Sequence, residues 1–255
     1  MTRRVFLIVA TGAALAMVGS GAFSPSPAAD GVALAVAANF LGPIKALGAR
    51  FEQTSGHRLQ ISSGSTGELY TQIRNGAPFD VLLSADRKTP ELLETEGSAV
   101  RGTRFTYALG RLALYSASIR VTGPDALRGE FRKLAIANPE LAPYGVATQQ
   151  TLTALRLWDA VRGKLVLGQN IGQTFQFVAT GNADLGFVAL PQLMGPHAPK
   201  GGSRWDVPQT LHQPIEQDAA LLQPGAGNAA ARAFLDFLRG ARARDVIAAY
   251  GYGVE

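Results

Sequence analysis

Residues 32–38 read Val-Ala-Leu-Ala-Val-Ala-Ala, an apolar run with no polar break. Residues 79–84, 134–137 and 184–190 are short runs of similar character. A strand with one wet face alternates apolar and polar side chains, whereas a continuous apolar run marks a strand buried on both faces. Such strands belong to parallel sheets covered by helices. The residues after each run agree with this. After Asn39, the residues Ile44, Leu47 and Phe51 recur at helical spacing until Ser55-Gly56. Residues 57–62 alternate as a second strand, Gly64 to Gly67 turn the chain, and Leu69 and Ile73 mark a helix ending at Asn75-Gly76. The run at 79–84 precedes a helix for which Thr89 is the expected N-cap and Pro90 the expected first residue. This β-α-β-α-β-α series predicts an α/β fold.

Residues 104–115 form a longer strand-like stretch with Gly110 inside it, and then the rhythm restarts. Residues 134–137, 164–167 and 184–190 are strands of a second series, with helices after Pro143 and Ile171. Residues 199–208 read as loop, 215–222 as a strand running back towards the first half, and 228–240 and 241–250 as closing helices. Two α/β lobes are therefore expected, each a mostly parallel sheet flanked by helices. Lobe 1 takes residues 30–109 plus 212–255, and lobe 2 takes residues 110–211. The strands near Tyr107 and Gln217 pass between them.

Four short stretches stand where a strand gives way to a helix: Ala37-Ala38-Asn39-Phe40, Gly64-Ser65-Thr66-Gly67, Pro143-Tyr144-Gly145 and Asn170-Ile171-Gly172. Each offers a helix N-terminus, whose free N–H groups and partial positive charge suit an anion. Ligands in open α/β sheets bind outside the carboxyl ends of the strands, so all four belong to one cleft between the lobes. None contains Lys or Arg, and none holds a nucleophile–base pair. The expected ligand is a small oxyanion held by neutral hydrogen bonds. Fixed dipoles need little reorganisation, while a buried salt bridge carries a desolvation cost that it does not always repay.

Bulk properties narrow the field. The 255 residues carry a net charge of +5, which raises nucleic acid as a partner. The basic residues are scattered, however, and the Arg239–Arg244 group has the spacing of a solvated helix face, so no nucleic acid is expected. There is no cysteine, which excludes disulfides, thiolate metal sites and cysteine nucleophiles. His57, His197 and His212 have no ligand spacing, so neither a metal site nor a catalytic triad is expected. Residues 1–29 read as a cleaved secretory signal: Arg3 and Arg4, an uncharged run at 5–18, then Ser-Pro-Ser-Pro-Ala-Ala. The run is short of the ~20 residues of a membrane span. Export implies a periplasmic location in a Gram-negative source.

Ala37-Ala38-Asn39-Phe40, residues 61–67, Asn75-Gly76-Ala77-Pro78-Phe79-Asp80, Leu83-Ser84-Ala85-Asp86, Asn138-Pro139 with Ala142-Pro143-Tyr144-Gly145, and residues 184–188 together resemble the periplasmic molybdate-binding proteins of ABC importers. The similarity spans the mature chain in order, and Tyr250-Gly251-Tyr252 resembles the family's C-terminus. The resemblance implies a type II two-lobed periplasmic-binding-protein fold that closes on molybdate or tungstate and delivers it to a membrane permease with its ATPase. It implies a monomer, no enzyme activity and no cofactor. On matching positions, Asn39 would donate its side-chain amide or backbone N–H, Thr66 its hydroxyl and N–H with Ser65 beside it, and Tyr144 and Ile171 backbone N–H groups, with Ala38 as a further donor. On that view Tyr144→Phe is nearly silent. Many members carry Ser at the position of Asn39 and some carry Tyr at that of Ala189, so the binding set here is expected to lean on the backbone.

Other readings remain open from the sequence. Asn39 could serve only as a helix cap, residues 64–67 only as a turn, and Asp80 and Asp86 as caps. A sulfate, thiosulfate or phosphate receptor has the same design with a different cavity size. A non-transport sensor module, or a secreted hydrolase using Ser65 or Thr66 as nucleophile, are the alternatives of another class.

Overall fold

In the computed structural model, which describes residues 31–196 and 198–254, the chain forms ten strands and eight α-helices. The signal segment and His197 lie outside the described residues. In chain order the first group is β1 (Gly31–Ala37), α1 (Leu41–Ser55), β2 (Arg58–Gly64), α2 (Thr66–Arg74), β3 (Val81–Leu83), α3 (Lys88–Thr95) and β4 (Phe105–Gly110). The second is β5 (Leu112–Ser116), β6 (Leu134–Ala137), α4 (Pro143–Ala154), α5 (Trp158–Val161), β7 (Leu165–Gly168), α6 (Ile171–Ala179), β8 (Leu185–Ala189) and β9 (Ser203–Asp206). The chain closes with β10 (Ile215–Leu221), α7 (Ala229–Arg239) and α8 (Ala241–Ala249).

Two five-stranded sheets result, ordered β2-β1-β3-β10-β4 and β7-β6-β8-β5-β9. In the first sheet β1 pairs parallel with β2 and β3, while β10 is antiparallel to both β3 and β4. The second repeats the pattern: β6 pairs parallel with β7 and β8, and β5 is antiparallel to β8 and β9. Four strands of each sheet therefore point one way. The odd strand in each is the one that arrives from the other sheet's half of the chain. The stretch at 104–115 is two strands, because Gly110-Arg111 hand the chain from the first sheet to the second.

The inner strands of both sheets are buried on both faces. Val32, Leu34 and Val36 pack with α1, α7 and α8 through Phe40, Ile44, Phe234 and Ile247. Ala35 and Leu82 face α2 and α3 on the other side. In the second sheet Leu134 and Ile136 pack under α4, while Ala135 and Val188 lie against α6. Ala37, Ala85 and Ile215 from the first half join the second sheet's core. The Gly67 N–H donates to the Leu141 carbonyl at 2.9 Å across the gap. The two lobes are closed on each other.

Three local expectations change. Residues 203–206 are a strand, not loop; this four-residue segment pairs only at the sheet edge with β5, too short to announce itself by periodicity. Helix α3 begins at Lys88, and its first turn is held by Asp86, whose carboxylate accepts from the Thr89 N–H at 2.8 Å and the Thr89 hydroxyl at 3.2 Å. Asn39 makes no cap bond; it sits in a 3-10 turn, Ala38–Phe40, that precedes α1. Asp80 ties strands together, accepting from the Ala33 N–H at 2.7 Å.

Candidate functional site: a cleft of helix N-termini

The ends of β1, β2, β6 and β7 face one another across the closed cleft. Ala38, Asn39, Ser65, Thr66, Tyr144 and Ile171 line one small cavity there, and no residue around it carries a charge. The cavity is small, about 10 Å³, on the order of the space that holds one buried water. All six sequence-derived residues are thus brought together.

Each enters the cavity for a local reason. Ser65 caps α2 through a reciprocal box: its hydroxyl accepts from the Glu68 N–H at 3.3 Å, and its own N–H donates to the Glu68 carboxylate at 2.8 Å. That leaves Thr66 as the first helical residue, buried, with its N–H directed outward from the turn. The Thr66 hydroxyl oxygen accepts from the Ala85 N–H at 3.1 Å, so its own proton is free to be donated. Asn170 caps α6 by accepting from the Gln173 N–H at 3.0 Å, which makes Ile171 the first residue of that helix. Pro143 opens α4 without needing an N–H, and Tyr144 follows as the next donor. The N–H groups of Asn39, Thr66, Tyr144 and Ile171 are first-turn donors. Among the described residues no carbonyl or side chain takes them. Four neutral donors from four helix starts, two from each lobe, surround this small cavity.

Comparison with known proteins bears on this arrangement. The family model for bacterial extracellular solute-binding proteins matches residues 32–253. The molybdate-binding protein ModA of Azotobacter vinelandii is 49% identical over 240 residues, covering 93% of this chain and 95% of that protein. ModA of Rhodobacter capsulatus is 48% identical, covering 90% and 91%. The solved periplasmic molybdate-binding protein of Azotobacter vinelandii superposes with a TM-score of 0.84 at 41% identity, covering 88% of this chain and 99% of that one. The chain belongs to the family of bacterial extracellular solute-binding proteins.

For a solute-binding protein, the groups behind the cavity matter as much as its lining. Asn39 spends its side-chain amide inward: Nδ2 donates to Gln217 Oε1 at 2.8 Å and to the Tyr252 hydroxyl at 3.0 Å. Of the two donors expected from Asn39, only the backbone N–H faces the cavity. The Tyr144 hydroxyl is also occupied, accepting from Gln217 Nε2 at 3.3 Å. Tyr144→Phe is therefore no longer expected to be silent. Burial pushes the Tyr107, Tyr144 and Tyr252 phenols above their ordinary range, so all three stay protonated.

Charge stands further out. A wider groove shares Thr66, Ala85 and Ala142 with the cavity and carries Arg87, Lys88, Glu140 and Glu216. Arg87 there pairs with Glu216 at 3.2 Å across exposed surface, an arrangement of little energetic weight. Sequence reasoning missed Gln217, Tyr107 and Gly110. One signal was present: Gln217 sits in the polar triplet Glu216-Gln217-Asp218 inside an expected strand, where a buried polar side chain needs a partner.

Proposed function

We propose that this protein is the periplasmic receptor for molybdate, and for tungstate alongside it, and that it hands the oxyanion to the permease and ATPase of an ABC importer. One observation carries the reading: four uncharged helix starts converge on a single small cavity. The high identity to molybdate-binding relatives supports molybdate as the tetrahedral anion. The donors we assign are the Asn39, Tyr144 and Ile171 backbone N–H groups and the Thr66 N–H and hydroxyl, with Ala38 and Ser65 completing the wall. Capture needs no covalent step, and the Ser65 and Thr66 hydroxyls accept from backbone N–H groups, with the Glu68 carboxylate bound to the Ser65 N–H and not to its hydroxyl; the protein acts as a monomeric binder and not as an enzyme. We take residues 30–109 plus 212–255 as one moving lobe and residues 110–211 as the other, with residues 1–29 as the export signal.

Hydrogen-bond donors held ~2.7–3.2 Å from each oxygen gauge ligand size. Molybdate and tungstate are alike in size and charge, so little discrimination between them is expected, while sulfate is smaller. The test is thermal unfolding of the mature protein with molybdate, tungstate, sulfate or phosphate in excess. A ligand bound only by the folded state stabilises by RT ln(1 + [L]/Kd), about 4 kcal/mol at ~1,000-fold saturation. A shift with molybdate and tungstate alone supports the reading. A shift with sulfate or phosphate instead moves the protein to the sulfate, thiosulfate or phosphate receptors.

A further inference from the structure

Behind the anion cavity lies a buried polar cluster that the binding reading does not use. Its centre is Gln217, fully buried on β10 where the pairing with β4 slips by a bulge between Gln217 and Asp218. Gln217 Oε1 accepts from Asn39 Nδ2 at 2.8 Å and from the Tyr107 hydroxyl at 3.1 Å. Gln217 Nε2 donates to the Tyr144 hydroxyl at 3.3 Å. Asn39, Tyr107 and Gln217 belong to the first sheet and its leading turn, whereas Tyr144 comes from α4 on the second lobe. The bond between Gln217 and Tyr144 therefore crosses the cleft.

This crossing depends on a missing side chain. A Cβ on Gly110 would lie 2.6 Å from both Gln217 Nε2 and the Tyr144 hydroxyl oxygen. Gly110 ends β4 at the handover between sheets, and only bare backbone there lets the two groups meet. Elsewhere the Gly67 N–H bonds the Leu141 carbonyl at 2.9 Å and the Gln213 N–H bonds Gln150 Oε1 at 2.9 Å, so the lobes are held together at several points.

Asn39 and Tyr144 share an unusual duty. Each lines the cavity, and each sends its side chain to the same Gln217 amide. We propose that Gln217 and the Tyr144 hydroxyl form a closure gauge: a positioning pair, touching no ligand, that fixes the gap between the lobes and so decides which size of tetrahedral oxyanion the closed site accepts. The proposal rests on the oxyanion reading given above. Its physical basis is the short reach of a hydrogen bond, ~2.7–3.2 Å between heavy atoms: at 3.3 Å the Gln217–Tyr144 pair stands at the long limit, so any further opening of the lobes breaks it. Donors held at a set separation reward the anion that spans it and fail the smaller one. With the gauge cut, the lobes settle around whichever anion is present, and discrimination falls by more than affinity does.

The experiment is calorimetric titration of the mature chain with molybdate and with sulfate. It compares the wild type with Tyr144→Phe, Gln217→Leu, their double variant and Gly110→Ala. Tyr144→Phe removes one oxygen and keeps the main-chain donor, so it decides the matter even if Gln217→Leu folds poorly. The expected result is a three- to tenfold loss of molybdate affinity with sulfate binding unchanged or stronger, so that the selectivity ratio drops at least threefold. Gly110→Ala, which wedges a methyl between the pair, should lower the ratio in the same way, and the double variant should be no worse than the weaker single. Equal weakening of both anions in Tyr144→Phe, or losses that multiply in the double variant, overturns the gauge while leaving the receptor intact. A wild type that binds neither anion overturns the oxyanion reading and the gauge together.

Discussion

Asn39 and Tyr252 hydrogen-bond each other twice. The Asn39 amide donates to the Tyr252 hydroxyl at 3.0 Å, and that hydroxyl donates back to the Asn39 carbonyl at 2.9 Å. Residues 213 positions apart are thereby locked together beside the cavity, with the Tyr252 and Phe40 rings packed edge to face at 5.5 Å between centroids. The end of the chain holds the first turn of the site in place.

Removing that hydroxyl tests the lock. Tyr252→Phe leaves the buried Asn39 carbonyl without its partner, which costs about 1–2 kcal/mol. For a domain of this size the melting temperature should fall by roughly 2–4 °C per kcal/mol. Differential scanning calorimetry of the mature protein reads it directly, and an unchanged melting temperature would sink the idea.

Thr66 supplies the one side-chain hydroxyl that we assign as a ligand donor. Thr66→Val should weaken molybdate binding by about 1–3 kcal/mol, roughly five- to 150-fold. Thr66→Ser keeps the hydroxyl and should stay within a few-fold of wild type. If both variants bind alike, the hydroxyl has no part in capture.

The site carries no group that titrates near neutrality. The residues lining the cavity are uncharged, and burial raises the phenols behind it. Molybdate affinity should therefore stay flat between about pH 6 and pH 9, the interval where a histidine or lowered lysine would show itself. A tenfold change across that interval, measured by calorimetry, would reveal a titrating ligand that the geometry lacks.

Stability should respond to acid through Asp184. Its carboxylate accepts from the Arg132 guanidinium at 3.0 Å and from the Arg132 and Lys133 N–H groups at 2.7 and 3.1 Å. The Arg132 hydrogen bond leads in holding its pKa below the ordinary carboxylate value, with the backbone N–H groups adding to it. The folded form thus prefers the ionised group. The stabilisation is present above the unfolded pKa of about 3.9 and is lost as pH falls through the lower folded value. Asp184→Asn should flatten that part of the stability–pH curve, as followed by urea unfolding from pH 7 down to about pH 3; an acid limb identical to wild type would remove Asp184 from the account.

A buried ion pair sits beside the gauge. Asp218, next to Gln217, is buried; its carboxylate accepts from Arg104 Nη1 at 2.8 Å and the Thr106 hydroxyl at 2.7 Å. Arg104→Met strands that charge and should destabilise the fold by about 2–3 kcal/mol, at or below the ~3–5 kcal/mol of fully buried pairs because Arg104 is 22% exposed. Denaturant unfolding measures it, and a loss under about 0.5 kcal/mol would show that water or Thr106 suffices.

Much of this architecture is local chemistry, and local chemistry is legible in a sequence. The apolar run at 32–38 marks a strand buried on both faces, and helices after Gly64 and at Ile171 are expected where α2 and α6 stand, although their caps Ser65 and Asn170 show only in the structure. Strand ends that meet helix starts carry free donors wherever the chain folds this way, so the four stretches could be named in advance. The tertiary structure alone decided what those residues do with their second functional group. Asn39 reads as a cap, yet its amide turns away to Gln217 and Tyr252, residues 178 and 213 positions away. Tyr144 reads as a backbone donor, yet its hydroxyl reaches across the cleft to the same Gln217, over a glycine whose purpose no pattern declares. A helix cap or an apolar period is set within one turn of chain. A hydrogen bond between lobes is set by where two sheets come to rest, and that depends on every core residue at once.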